Sequence, residues 1–194
     1  SSALSAWLRM IVEVRMASAE PRTYSEVLQQ TERPAYCQLL RAVPLAVPWL
    51  FDVPLPILYV VLDRMLGGGR NASVVVRRAP TDIELRLAAR FTALVLTELN
   101  AAWQGLVDLQ LAAERVETDP HLLRELPPGG RVLLFSLEIR LNDTRGTLRL
   151  AVPWEAVDAT VEPVIVPMSP HVASDAPPSP GTAAQPAPPA PADG

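Results

Sequence analysis

Apolar and polar residues alternate through Val12-Glu13-Val14-Arg15-Met16, the period of a strand with one face buried. The stretch before it, SSALSAWLRMI, has apolar positions at helical spacing instead, so the chain opens as helix, then strand. In TYSE, Thr23 stands three residues before Glu26, a capping box that predicts a short helix from Tyr24 to Gln30. Two apolar runs, Ala35 to Val43 and Ala46 to Val53, read as strands. Pro54 and Pro56 cannot continue a ladder but fit a helix's first turn, so PLPILYVVLDRML is a helix that stops at Gly67. A second capping box, Thr81 to Glu84, starts the longest periodic segment. Its predicted apolar stripe is Ile83, Leu87, Phe91, Leu94, Val95 and Leu99, ending near Trp103.

Beyond Trp103 the first half recurs. Tyr24 lies 95 residues before Asp119, Val27 lies 95 before Leu122, and the strand Tyr36 to Val43 matches Arg131 to Glu138. Val12-Glu13-Val14 likewise matches Val107-Asp108-Leu109, each after a tryptophan-bearing segment (Trp7, Trp103), and Val53-Pro54 matches Val152-Pro153 after a small insertion. Duplication predicts two similar halves about a pseudo-two-fold axis, their strands merged in one sheet with helices outside. Each of the four tryptophans, Trp7, Trp49, Trp103 and Trp154, is expected in the core.

Composition limits the folded part. Of 194 residues, 49% are hydrophobic, enough for one core, yet 21 are proline, concentrated from Pro167 onwards. That segment has almost no large apolar side chains to offset its ordering entropy. The expected organisation is a folded domain over 1–166 and a disordered Pro/Ala-rich linker or tail over 167–194. A net charge of -4 and no basic patch argue against nucleic acid or an anionic membrane surface. Leu39 to Leu62 is long enough to span a bilayer, but Arg41, Asp52 and four prolines interrupt it, so strands and a helix are expected rather than membrane insertion. Cys37, the lone cysteine, reads as a small buried thiol.

Little of the sequence points to catalysis. His121 and His171 lack the neighbours a metal site needs, so no metal or cofactor is expected. There is no Gly-x-Ser-x-Gly turn, and the carboxylates of ERVETDP (Glu114, Glu117, Asp119) read as a turn with Asp119 capping a helix. Asn71-Ala72-Ser73 matches a glycosylation sequon by coincidence. The remaining candidate is Gly67, Gly68, Gly69 and Arg70. A phosphate loop needs its glycines before a helix, where free amides and the positive helix end face the anion. Here they follow a helix, where exposed carbonyls have the wrong sign. One glycine suffices for a left-handed cap; three together with Arg70 suggest a loop whose backbone a partner can approach closely.

Several motifs in order, TYSE, DR-x-LGG, TDIE, ET-x-P and a PP before a strand, resemble the middle domain of the FliM family of flagellar motor switch proteins. Order and spacing agree from about Ala3 to Val164. The resemblance implies a pseudo-two-fold symmetric three-layer α/β/α sandwich of the CheC/FliM type. It also implies a non-enzymatic component of the flagellar C-ring at the cytoplasmic face of the inner membrane, packed beside neighbouring FliM copies. The family's GG-x-G loop contacts FliG; carried over, it is Gly67, Gly68, Gly69 and Arg70, with Arg70 in place of the last glycine. FliN and phosphorylated CheY would bind through regions not in this chain.

Two alternatives stay beside this one. CheC-type phosphatases of phosphorylated CheY share the fold but need Glu-x-x-Asn on one helical face, so that the amide can orient an attacking water. No glutamate here has an asparagine three residues on; Glu84 is followed by Leu87 and Glu98 by Ala101. A scaffold of a related secretion apparatus is the other.

Overall fold

Both capping boxes close. Thr23 N donates to Glu26 Oε2 at 2.7 Å while Glu26 N donates to Thr23 Oγ1. Thr81 N donates to Glu84 Oε2 at 2.7 Å, and Glu84 N returns to Thr81 Oγ1. These fix the starts of two helices in a computed structural model that describes residues 2–45, 47–68, 78–104 and 108–161. In chain order the elements are α1 (Ser2–Leu8), β1 (Val12–Thr23), α2 (Tyr24–Gln29), β2 (Tyr36–Val43), β3 (Pro48–Val53) and α3 (Leu55–Met65). There follow α4 (Asp82–Trp103), β4 (Gln110–Glu117), a 3-10 turn (Pro120–Leu122), β5 (Arg131–Leu141), β6 (Thr144–Pro153) and α5 (Trp154–Val161).

The strands form one antiparallel sheet in the order β1-β5-β6-β3-β2-β4. Exchanging β1 with β4, β2 with β5 and β3 with β6 reverses this order and leaves it otherwise unchanged, so the sheet has the pseudo-two-fold axis the repeat predicts. The axis passes through the β3–β6 junction. There Phe51 faces Leu150, its own counterpart by the Val53-Pro54 to Val152-Pro153 match.

Strand pairing corrects the register of the repeat. Tyr36 faces Val53 and Leu133 faces Val152, so β2 and β5 superpose at a spacing of 97, not 95. The same 97 relates the bulges, one at Ala17 between Met16 and Ser18, the other at Glu114 between Ala113 and Arg115. A slip of two residues keeps every side chain on its own face, so hydrophobic patterning cannot detect it.

Both faces of the sheet are covered, unequally. The larger core joins α1, α3, α4 and Ala156 of α5 to inward residues such as Tyr36, Trp49, Phe51, Leu150 and Val152. Tyr24 and Val27 of α2 cover the opposite face with Cys37, Leu39, Leu123 and Leu134. The buried residues of α4 are Ala88, Phe91, Thr92, Val95 and Leu96, an i, i+3, i+4, i+7, i+8 stripe. Ile83, expected on the stripe, is 72% exposed, because the first turn is taken up by the capping box and lies short of the core. Trp7 is also exposed, against expectation, whereas Trp49 is buried with its ring centroid 5.2 Å from that of Trp103. Trp154 is half-buried under the Arg131 guanidinium.

The two outer strands are each closed by a side chain from the preceding helix. Asn100 of α4 donates Nδ2 to Leu111 O (3.0 Å) and accepts from Leu111 N (2.7 Å). Ser5 of α1 serves Val12 in the same way, accepting from its N–H (3.0 Å) and donating to its C=O (3.3 Å). In each case a residue whose N–H and C=O turn away from the sheet is satisfied by a side chain that mimics another strand.

The apolar run Leu39 to Leu62 forms β2, β3 and much of α3, and among the described residues no helix is long and apolar enough to cross a membrane. Gly69, Arg70, the Asn71-Ala72-Ser73 sequon, Val107 and the segment from Pro167 lie outside the described residues.

Candidate docking site

Helix α3 ends in a complete Schellman turn. Gly67 N donates to Arg64 O (3.1 Å) and Gly68 N to Asp63 O (2.8 Å), while Gly67 takes the left-handed conformation with φ +88°. Among the described residues a Cβ on Gly67 would meet nothing within 4 Å, so no described side chain covers the backbone there. Gly68 is different: a Cβ there would lie 2.0 Å from Asp63 Oδ2. The helix-stop reading therefore accounts for both Gly67 and Gly68. Of the four candidate residues the described structure brings these two together.

Arginines anchor both ends of the segment that begins at this turn. At the near end Arg64 donates from Nη1 to Gly68 O (3.0 Å) and from Nη2 to Arg9 O (2.8 Å). Arg9 itself is left-handed (φ 51°) and turns the chain from α1 into β1. At the far end Arg78 makes a forked pair with Glu84, both bonds 2.7 Å, and its guanidinium lies 5.5 Å from the Tyr59 ring centroid. Tyr59 Oη also donates to Arg78 O (3.0 Å), tying this end to α3. The hydrogen bond from Arg78 is the main reason the Glu84 carboxyl drops to about 2, helped by the Thr81 amide and hydroxyl.

Leu66 is 71% exposed and Ile11, two residues past Arg9, is 70% exposed. Asn142, at the β5–β6 turn with φ 50°, donates its N–H to Ile11 O (3.3 Å) and completes this end of the sandwich. Sequence reading found the glycines but not Arg64, Arg78 or Arg9. The hint for Arg64 was the DR pair at Asp63-Arg64; its distant partner, the Arg9 carbonyl 55 residues away, leaves no local pattern.

The other candidates resolve into structural roles. Asp119 Oδ1 accepts from His121 N (3.0 Å) and its carboxylate pairs with Arg33, the amide being the main cause of its lowered pKa. Glu117 Oε1 accepts from Thr118 N (2.9 Å) and Asp119 N (3.1 Å). A cleft of about 220 Å³ lies on the α2 side, lined by Gln30, Glu32, Pro34, Asp52, Thr147 and Arg149 among others. Two of its charged groups engage each other, Arg149 with Asp52, and Arg149 is also bonded to the end of α2. Among the described residues no group of three or more His, Cys, Asp or Glu is placed to hold a metal ion.

The family model described as flagellar motor switch protein FliM matches residues 1–172. The chain belongs to the FliM family. The FliM of Borreliella burgdorferi is 27% identical over 169 residues, covering 87% of this chain and 47% of that protein. The chain thus spans about half the length of the curated relatives it matches. Among solved structures, the FliG-FliM complex from H. pylori aligns with a TM-score of 0.79 at 23% identity, covering 84% of this chain and 88% of that one. The FliM middle domain from H. pylori aligns at 0.75 and 22%, covering 84% and 87%. At these identities the likeness establishes the fold, the CheC/FliM-type sandwich with its six-stranded antiparallel sheet.

Proposed function

We propose that this chain is a ring-building unit of the flagellar motor switch, docking FliG through the turn that begins at Gly67 and packing beside neighbouring FliM copies. The observation that carries the reading is the family match over residues 1–172, together with the same fold in a FliG-FliM complex. The geometry supports a contact of backbone and apolar surface: a cap glycine whose Cβ position no described residue occupies, next to the exposed Leu66, with Ile11 also exposed two residues past Arg9. Gly69 and Arg70 continue the contact in this reading. Its work is mechanical, at the cytoplasmic face of the inner membrane in the C-ring. Torque and rotation sense pass through these surfaces as a shift between alternative packings, with no chemical step. Residues 1–166 form the docking domain, and 167–194 serve as linker or tail.

Replacing Gly67 by a bulky residue would confuse docking with loss of the helix cap. Gly67→Asn avoids this, because Asn tolerates the left-handed conformation and its Cβ meets none of the described residues within 4 Å. The expected result is an unchanged melting temperature with FliG affinity down by about tenfold or more. Undiminished affinity in the folded variant would remove Gly67 from the contact.

A further inference from the structure

The Arg64 side chain touches both the docking turn and a second element. Its Nη1 holds Gly68 O, the first carbonyl beyond the helix cap, and its Nη2 holds Arg9 O in the α1–β1 turn. The two acceptors belong to segments 59 residues apart (68 and 9) that no strand pairing joins. Nε, the third face of the guanidinium, is buried and has no partner among the described residues, so the fork is held by these carbonyls rather than by a carboxylate. Its immediate neighbour Asp63 is turned against Gly68.

From this geometry we infer that Arg64 is a positioning residue: it sets the take-off of the docking turn against the α1–β1 turn and couples the conformations of the two. The inference rests on the docking reading above for its functional part, but the coupling stands on the bonds themselves. A planar fork with fixed donor directions can hold two carbonyls at once, whereas a lysine ammonium at the end of a flexible stem reaches one. The coupled turn is itself conditional. Arg9 is left-handed without being glycine, a strained conformation that persists only while neighbours enforce it. Its neighbours in sequence report the state of the turn: Met10 N bonds to Ser5 O, and Val12 N to Ser5 Oγ. Because coupling is reciprocal, a partner that orders Gly67 and Gly68 must also order Arg9 to Val12, and disturbing the α1–β1 turn must weaken docking. The bond to Arg9 O thus extends the docking site to the start of β1, one of the two outer strands of the sheet.

The test combines amide hydrogen exchange with FliG binding on wild type, Arg64→Lys and Arg64→Ala. Melting temperature serves as the control for global folding. The expected result is that both variants melt within a few degrees of wild type, exchange the Met10 and Val12 amides about tenfold faster, and bind FliG about tenfold more weakly. In wild type, saturating FliG slows exchange at Met10 and Val12; in Arg64→Lys it does not. Unchanged exchange at these amides in both variants overturns the coupling, whatever FliG does. Faster exchange with unaltered FliG affinity overturns the positioning role. If wild type itself fails to bind FliG, the docking reading falls, and the exchange rates still decide whether Arg64 couples the two turns.

Discussion

Arg149 and Asp52 face each other across the β3–β6 junction, and two guanidinium nitrogens, Nε at 2.8 Å and Nη2 at 2.5 Å, converge on Asp52 Oδ2. On the other side of the pseudo-axis the equivalent pair is Leu50 facing Ala151. One half of a symmetric junction is therefore ionic and the other apolar. Arg149 also donates to Gln30 O and Thr31 Oγ1, so the ion pair ties the centre of the sheet to the end of α2. Burial pushes the Asp52 carboxyl up and Arg149 opposes the rise. Arg149→Met leaves a buried carboxylate unpaired and is expected to cost about 3–5 kcal/mol at neutral pH, most of it recovered in the double variant Asp52→Leu/Arg149→Met. A carboxyl whose folded pKa lies above its unfolded value favours the fold only while protonated. The Arg149→Met deficit should therefore shrink as pH falls below the raised folded value. Denaturant midpoints across pH measure it, and a deficit independent of pH would show that Asp52 is not the source.

Glu84 gives the opposite pH dependence. Its carboxyl is held at about 2, first by the hydrogen bond from Arg78 and then by the Thr81 cap. Its contribution is complete above the ordinary glutamate range, near 4.3, and is lost as pH falls through about 2. Glu84→Gln is expected to cost about 1 kcal/mol at pH 7, with the difference from wild type vanishing towards pH 2. Urea titrations at several pH values between these limits provide the check.

Asn100 predicts an association phenotype. Asn100→Ala leaves the N–H and C=O of Leu111 without their partner on an outer strand, costing about 1–3 kcal/mol where water does not replace it. It also exposes a ladder that another strand can join. Light scattering should show concentration-dependent assembly in Asn100→Ala that wild type lacks. If the variant stays in the same oligomeric state as wild type, Asn100 is not guarding that edge.

Cys37 is fully buried between β3 and β4, and burial together with the nearby Asp52 carboxylate pushes its thiol up. The native thiol is expected to resist alkylation at pH 8, with labelling rising in step with unfolding in denaturant. Fast labelling of the native protein would place Cys37 in a segment that opens locally.

Much of the fold was legible because its signals are local. Thr23–Glu26 and Thr81–Glu84 each lie within one helical turn, and both boxes form as written. The stop at Gly67 follows from a backbone conformation that glycine adopts freely. The strand runs and the repeat were readable because side chains alternate with period two. That same period hid the true spacing of 97, since a two-residue slip changes no residue's face. The FliM resemblance rested on motif order, which survives where identity is 27%.

What the sequence determined by itself was the kind of each element, the stops between them, the duplication and the glycines that end α3. Tertiary structure alone decided which distant groups meet: Arg64 with the carbonyls of Gly68 and Arg9, Arg149 with Asp52 and α2, Asn100 with the rim of β4. It also decided that Trp7 and Ile83 face solvent although their spacing fits a buried stripe. The physical reason is the same in each case. Helix caps, turns and alternation are settled by neighbours along the chain, whereas a side chain's partner is settled by where the sheet and its helices come to rest.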